Sequence, residues 1–218
     1  MAMISIKNLV KEYDGNLVYD NFNLDIKKGE ITVVLGESGC GKTTLLNVLS
    51  KLTDYQGQVV GDYAPISRVF QDDRLIPNLT VAQNLLLVNP SANVSKELKD
   101  IGLEDKENDY PKSLSGGMKR RVAILRALIF PYKTLLLDEP LNSLDLALKL
   151  SLIEKIKKSH KENGGTIVMV IHDIKEAVLI ADRIIVLQKG KVVYDNSQIE
   201  KKTEDELFDL LSKRNNNS

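Results

Sequence analysis

Residues 36–44 read GESGCGKTT, set between the apolar run ITVVL (31–35) and the apolar-rich LLNVLSKL (45–52). The stretch matches GxxxxGK[ST], with a strand expected before it and a helix after it. Glycines at 36, 39 and 41 let the backbone turn its N–H groups inward, and the positive end of the following helix faces the same point. That chemistry selects a polyphosphate. Glu37, Ser38, Cys40 and Thr44 complete the loop, Lys42 reaches the terminal phosphates, and the Thr43 hydroxyl is a ligand for Mg²⁺. The plain alternative is a Gly-rich turn carrying a solvated lysine. A second cluster, TLLLDEP (134–140), puts Asp138 and Glu139 at the carboxyl end of a buried strand, where open α/β sheets place ligands. Adjacent acids there need a cation between them and the phosphates. Asp138 is then the Mg²⁺-side carboxylate and Glu139 the base for a water, the alternative being two solvated acids before a proline turn.

These residues need strands to hold them. Apolar runs of strand length recur at 31–35, 68–70, 134–137, 166–171, 183–187 and 191–194. Several are apolar on both faces and follow helical stretches, the mark of parallel strands covered on both sides, and the fold class expected is α/β. MISIKNLV and NFNLDI alternate more, predicting a small N-terminal antiparallel sheet with KKGE as the turn into the next strand. SLSGGMKRRVAILRALIF reads as a capped, half-buried helix stopped by Pro131. Residues 78 to about 112 read as mostly helical and polar. QIEKKTEDELFDLLSKRNNNS, about 198–218, reads as a short amphipathic helix with a frayed Asn-rich end.

Composition narrows the partners. Thirty basic residues balance thirty acidic ones over 218 residues, so the bulk positive field of a nucleic-acid-gripping chain is missing and no nucleic-acid partner is expected. A single cysteine, Cys40, excludes an internal disulfide framework. No window reaches the roughly 18 uninterrupted apolar residues of a membrane span, and no secretory-signal layout opens the chain.

LSGGM followed by KRRVAILRAL, shortly before LLLDEP, completes a pattern that resembles the nucleotide-binding subunit of ATP-binding cassette (ABC) transporters, over essentially the whole chain. The resemblance implies a P-loop NTPase (RecA-like) core with a mostly parallel sheet, an N-terminal antiparallel β subdomain and an inserted helical subdomain at about 72–130, all in one domain spanning 1–218. It implies that Tyr13 in KEYDG stacks on adenine, that Gln71 in VFQDD is the lid glutamine touching Mg²⁺ and the attacking water, and that His172 in VIHD is the switch histidine. Ser115, Gly116 and Gly117 are similar to the signature stretch, and NSLD (142–145) to the loop after the catalytic strand. Serine followed by two glycines opens a helix, so its free N–H groups form a second anion site, the plain reading of the stretch in isolation being an ordinary serine cap. In the family that site closes over the γ-phosphate held by another subunit.

The implied activity is Mg-dependent ATP hydrolysis driving transport, with ATP and Mg²⁺ as cofactors. Lys42, Glu139, Gln71 and His172 are the catalytic set, and Thr43, Gln71 and Asp138 the metal set. Implied partners are a second copy or a homologous cassette, transmembrane permease subunits and a solute-binding protein, with the chain peripheral on the cytoplasmic side of the cell membrane. An importer of a small solute is the first reading, resembling the nitrate, sulfonate, taurine and pyrimidine-precursor branch. An exporter or envelope-acting cassette, or a non-transport ABC ATPase, is the alternative. Met118 stands where glutamine is usual in the signature, NSLD replaces SALD or GALD, and no regulatory domain is expected after about residue 205.

Overall fold

A computed structural model of the chain describes residues 2–200 and 202–212. Four strands apolar on both faces form its centre: β3 (Ile31–Gly36), β6 (Thr134–Asp138), β7 (Thr166–Val170) and β8 (Arg183–Gln188), almost every residue of which is buried. Strands of that kind are stable only when both sheet faces are covered. They sit in a six-stranded sheet of order β5-β6-β7-β3-β8-β9, parallel except for β9 (Lys191–Asn196), which runs antiparallel to β8. The edge strand β5 is Ile66–Val69, where the sequence suggests 68–70.

One face of this sheet carries α1 (Lys42–Leu49) and, over it, a three-stranded antiparallel sheet of order β2-β1-β4. β1 is Ala2–Tyr13, β2 Asn16–Lys27 and β4 Gln56–Gly61. Ile4, Ile6, Tyr19 and Ile26 from that sheet pack with Leu45, Leu46 and Leu49 of α1 against Val34, Val168 and Ile185. β4 is not legible in the sequence: QGQVVG carries two glycines and is mostly exposed, and only its pairing with β1 makes it a strand. The opposite face is covered by α4 (Gly116–Ile129), α5 (Leu146–Asn163) and α6 (Ile174–Ile180), with α7 (Thr203–Ser212) packed beside α6. The Asn-rich end expected after α7 lies outside the described residues.

Residues 78–112 correct the sequence reading. They hold two six-residue helices, α2 (Val81–Leu86) and α3 (Val94–Lys99), and two 3₁₀ turns at Glu104–Lys106 and Pro111–Ser113, so they are not mostly helical. Pro90, Gly102 and Pro111 interrupt the run. The fully buried Asn84 side chain, inside α2, ties down the non-helical loop before that helix by donating to the carbonyls of Ile76, Leu79 and Thr80 and accepting from the Ile76 N–H.

Strand register positions the site. Asp138 pairs with Val170 and Val170 with Val34, so the chain leaves β6, β7 and β3 along one rim of the sheet. Glu139, His172 and the glycine loop therefore emerge side by side.

Candidate nucleotide site

The loop after β3 is built around two positions that admit no side chain. A Cβ at Gly36 (φ 149°) would lie 2.3 Å from the Leu187 carbonyl, and one at Gly41 (φ 110°) 2.8 Å from the Tyr19 hydroxyl. Tyr19, buried in β2, donates its hydroxyl proton to the Gly41 carbonyl at 2.9 Å and so fixes the start of α1. Gly41 caps that helix without a side chain and no acid stands in its first turn, which leaves the first N–H groups for an external acceptor. Lys42 is 5% exposed, and its ammonium donates to the Gly36 and Glu37 carbonyls at 2.7 Å each. A glycine cradle, a helix N-terminus and a lysine on one small volume fit a phosphate chain.

The Thr43 hydroxyl donates to Asp138 Oδ1 at 3.2 Å, and Arg68 Nη2 stands 3.7 Å from Oδ2. Asp138 is 1% exposed; burial pushes its carboxyl above the ordinary range, against the pull of Arg68 and Thr43. Thr43, Asp138 and Gln71 line a common cavity, with Thr43 and Gln71 also lining its neighbour. Among the described residues no group of three or more His, Cys, Asp or Glu side chains is placed to hold a metal ion by itself; what Thr43, Gln71 and Asp138 offer is a hydroxyl, an amide and a carboxylate. Those hard oxygens, completed by phosphate, suit Mg²⁺.

Glu139 turns out of β6 with φ 48°, its N–H donating to the Val170 carbonyl at 3.0 Å. Its carboxylate is held by three side chains: the His172 ring through Nε2 at Oε1, and the amides of Gln71 (3.3 Å) and Asn142 at Oε2. Ser38, Gly39, Gly41, Lys42, Thr43 and Thr44 share a cavity of about 230 Å³ with Gln71, Glu139 and His172. Gly36, Glu37 and Cys40 stand behind it, acting through the bonds of Lys42 and the packing of the buried thiol, and Val18 on β2 supplies an apolar wall. Tyr13 ends β1 outside this cavity, 40% exposed, its hydroxyl 3.5 Å from Thr53 and beside Thr44 and Asn47 of α1.

The serine-glycine stretch is elsewhere. Ser115 caps α4, its Oγ accepting from the Met118 N–H at 3.3 Å, and Ser115, Gly116 and Gly117 line neither cavity. Three residues without a role of their own in the sequence reading also reach the site. Asn142 holds Glu139, Arg68 flanks Asp138, and Arg120 bonds the backbone of both acids. Only Asn142 carried a signal, standing three residues after Glu139 across a proline turn.

The model of a family described as ABC transporter matches residues 19–142. Among curated relatives, an aliphatic sulfonates import ATP-binding protein, SsuB 2 of Agrobacterium fabrum, is 38% identical over 205 residues, covering 89% of this chain and 79% of its own length. A spermidine/putrescine import ATP-binding protein, PotA of Clostridium novyi, is 39% identical over 210 residues, covering 87% of this chain; the match spans 60% of PotA. Among solved structures, the ATP-binding cassette MJ0796 in a dimeric post-hydrolysis state bound to ADP and Pi superposes with a TM-score of 0.79 at 32% identity. It covers 89% of this chain and 98% of that one.

Proposed function

From the premise that this chain belongs to the ABC transporter family and is one of its ATPases, we propose that it is the motor subunit of an importer of a small solute. The observation that carries this reading is the Glu139 carboxylate, held by Gln71, Asn142 and His172 in the cavity that Lys42 and Thr43 line. The cradle amides and Lys42 hold the phosphates, and Thr43, Asp138 and Gln71 hold Mg²⁺. The metal, when bound, neutralises charge on the phosphate oxygens. Glu139 orients and polarises a water in line with the terminal phosphoryl, and His172 fixes the carboxylate through Oε1. Tyr13 supplies the ring for adenine.

The helix tip at Ser115, Gly116 and Gly117 completes the site of a second cassette, identical or homologous, so that two ATP molecules are enclosed head to tail. ATP then favours the closed pair and hydrolysis reopens it. In this reading residues 1–218 are one domain, and its inserted part, about 72–130, meets the permease from the cytoplasmic side. Among the described residues no helix is long and apolar enough to cross a membrane, which suits a subunit held there by its partner. A solute-binding protein belongs to the same assembly. Relatives named for an anionic and for a cationic cargo match this chain about equally, which supports a cassette that follows the ATP chemistry and leaves cargo choice to other chains.

Glu139→Gln tests the assignment. It is expected to bind Mg-ATP, accumulate as a dimer in size-exclusion chromatography and release phosphate about 10²-fold or more slowly. A variant that stays monomeric at saturating Mg-ATP and turns over like the parent defeats it.

A further inference from the structure

The sequence offers KRR at 119–121 as a charged run, yet Arg120 is 6% exposed. Its Nη2 donates to the carbonyls of Asp138 (2.8 Å) and Glu139 (2.7 Å), and its Nε to that of Pro140 (3.1 Å). Its Nη1 donates to the carbonyls of Phe70 (2.6 Å) and Gln71 (3.3 Å), with Asp73 Oδ1 at 3.5 Å. Nearly all the donors of one guanidinium are thus spent on two backbone segments, and each segment carries a side chain of the site. Arg121, the next residue, faces the other way and donates to the Ile101 carbonyl at 2.7 Å.

We infer that Arg120 is a positioning residue that couples the Ser115–Gly116–Gly117 helix tip to Glu139 and Gln71, setting the geometry of hydrolysis rather than the strength of nucleotide binding. The inference rests on the ATPase reading above. Bonds at the carbonyls of Gln71 and Glu139 fix the peptide planes that aim their side chains, and Glu139 needs such restraint because its backbone is left-handed at φ 48°. Gln71 and Glu139 also meet directly, Nε2 to Oε2, so an error at either carbonyl reaches the same carboxylate. Arg120 lies five residues into the rigid helix that Ser115 caps, so a shift of the tip by a second cassette moves the guanidinium with it. Only a planar fork serves five carbonyls at once; lysine or glutamine reaches a subset.

The test compares Arg120→Lys, Arg120→Gln and Arg120→Ala in the full chain by melting temperature, affinity for a non-hydrolysable ATP analogue with Mg²⁺, and kcat. The expected result is affinity within about threefold of the parent and kcat lowered about tenfold or more, as misplacement of a reacting group costs. Added guanidinium ion is expected to restore part of the kcat of Arg120→Ala and none of that of Lys42→Ala. The inference is overturned by an unchanged kcat, by affinity and kcat falling together without guanidinium rescue, or by failure of all three variants to fold, which marks a plain brace. Lys42→Ala and Glu139→Gln run alongside: parental turnover in both removes the ATPase reading itself, whereas their inactivity beside unaffected Arg120 variants removes only this inference.

Discussion

In the proposed function two helix N-termini of this chain meet an anion, and they differ in everything but that. At the start of α1 the cradle is closed by its own chain: Tyr19 bonds Gly41, Lys42 bonds the loop carbonyls, and a Cβ at Gly36 or Gly41 collides with buried atoms. At the start of α4 the tip is bare, with a single serine cap and nothing within 4 Å of where a Cβ on Gly116 would stand. A glycine enforced by its own fold and a glycine enforced by nothing visible call for different explanations. The first is answered inside the chain; the second fits the second cassette of the proposed function.

Substitutions separate the two ends. Lys42→Ala is expected to have the largest effect, because it removes the cation facing the phosphates and the bonds to Gly36 and Glu37. Phosphate release should fall by about 10² or more, and parental kinetics would contradict the role of the cradle. Gly41→Ala comes next. Its left-handed φ and the contact with Tyr19 should cost about 1–3 kcal/mol, read in calorimetry as a lower midpoint of roughly 2–4 °C per kcal/mol. The smallest effect on stability belongs to Gly116→Ala, which sits in a helix with open space and should raise stability by up to about 1 kcal/mol. Its turnover should nonetheless fall roughly tenfold, since the added methyl meets the second cassette's phosphate rather than this chain. If Gly116→Ala melts early, or hydrolyses ATP at the parental rate, the contrast between the two ends disappears.

Much of the cradle end was legible beforehand. Strands apolar on both faces, such as ITVVL and TLLLD, can only be central and parallel, and a GK[ST] loop behind one of them can only emerge at a carboxyl end. The antiparallel sheet was legible in part. β1 and β2 alternate, whereas β4 does not, being mostly exposed, and it becomes a strand because β1 needs a second neighbour. Residues 78–112 misled because their apolar spacing looks helical throughout, while Pro90, Gly102 and Pro111 break the stretch into two short helices and two 3₁₀ turns. Nothing in the sequence marks Arg68 or Arg120 for the interior, yet the Arg68 side chain and Arg120 are each 6% exposed.

The order of residues along the chain thus dictates the chemistry available and the strands that present it, because loop and acid motifs are local and their strand context is written in apolar runs. What the folded molecule alone decides is which long side chains turn inward. Arg120 and Arg121 are neighbours of identical type on one helix, but successive residues point about 100° apart. Whether either finds carbonyls or water depends on the segments packed there, and these are brought from fifty residues before and twenty after.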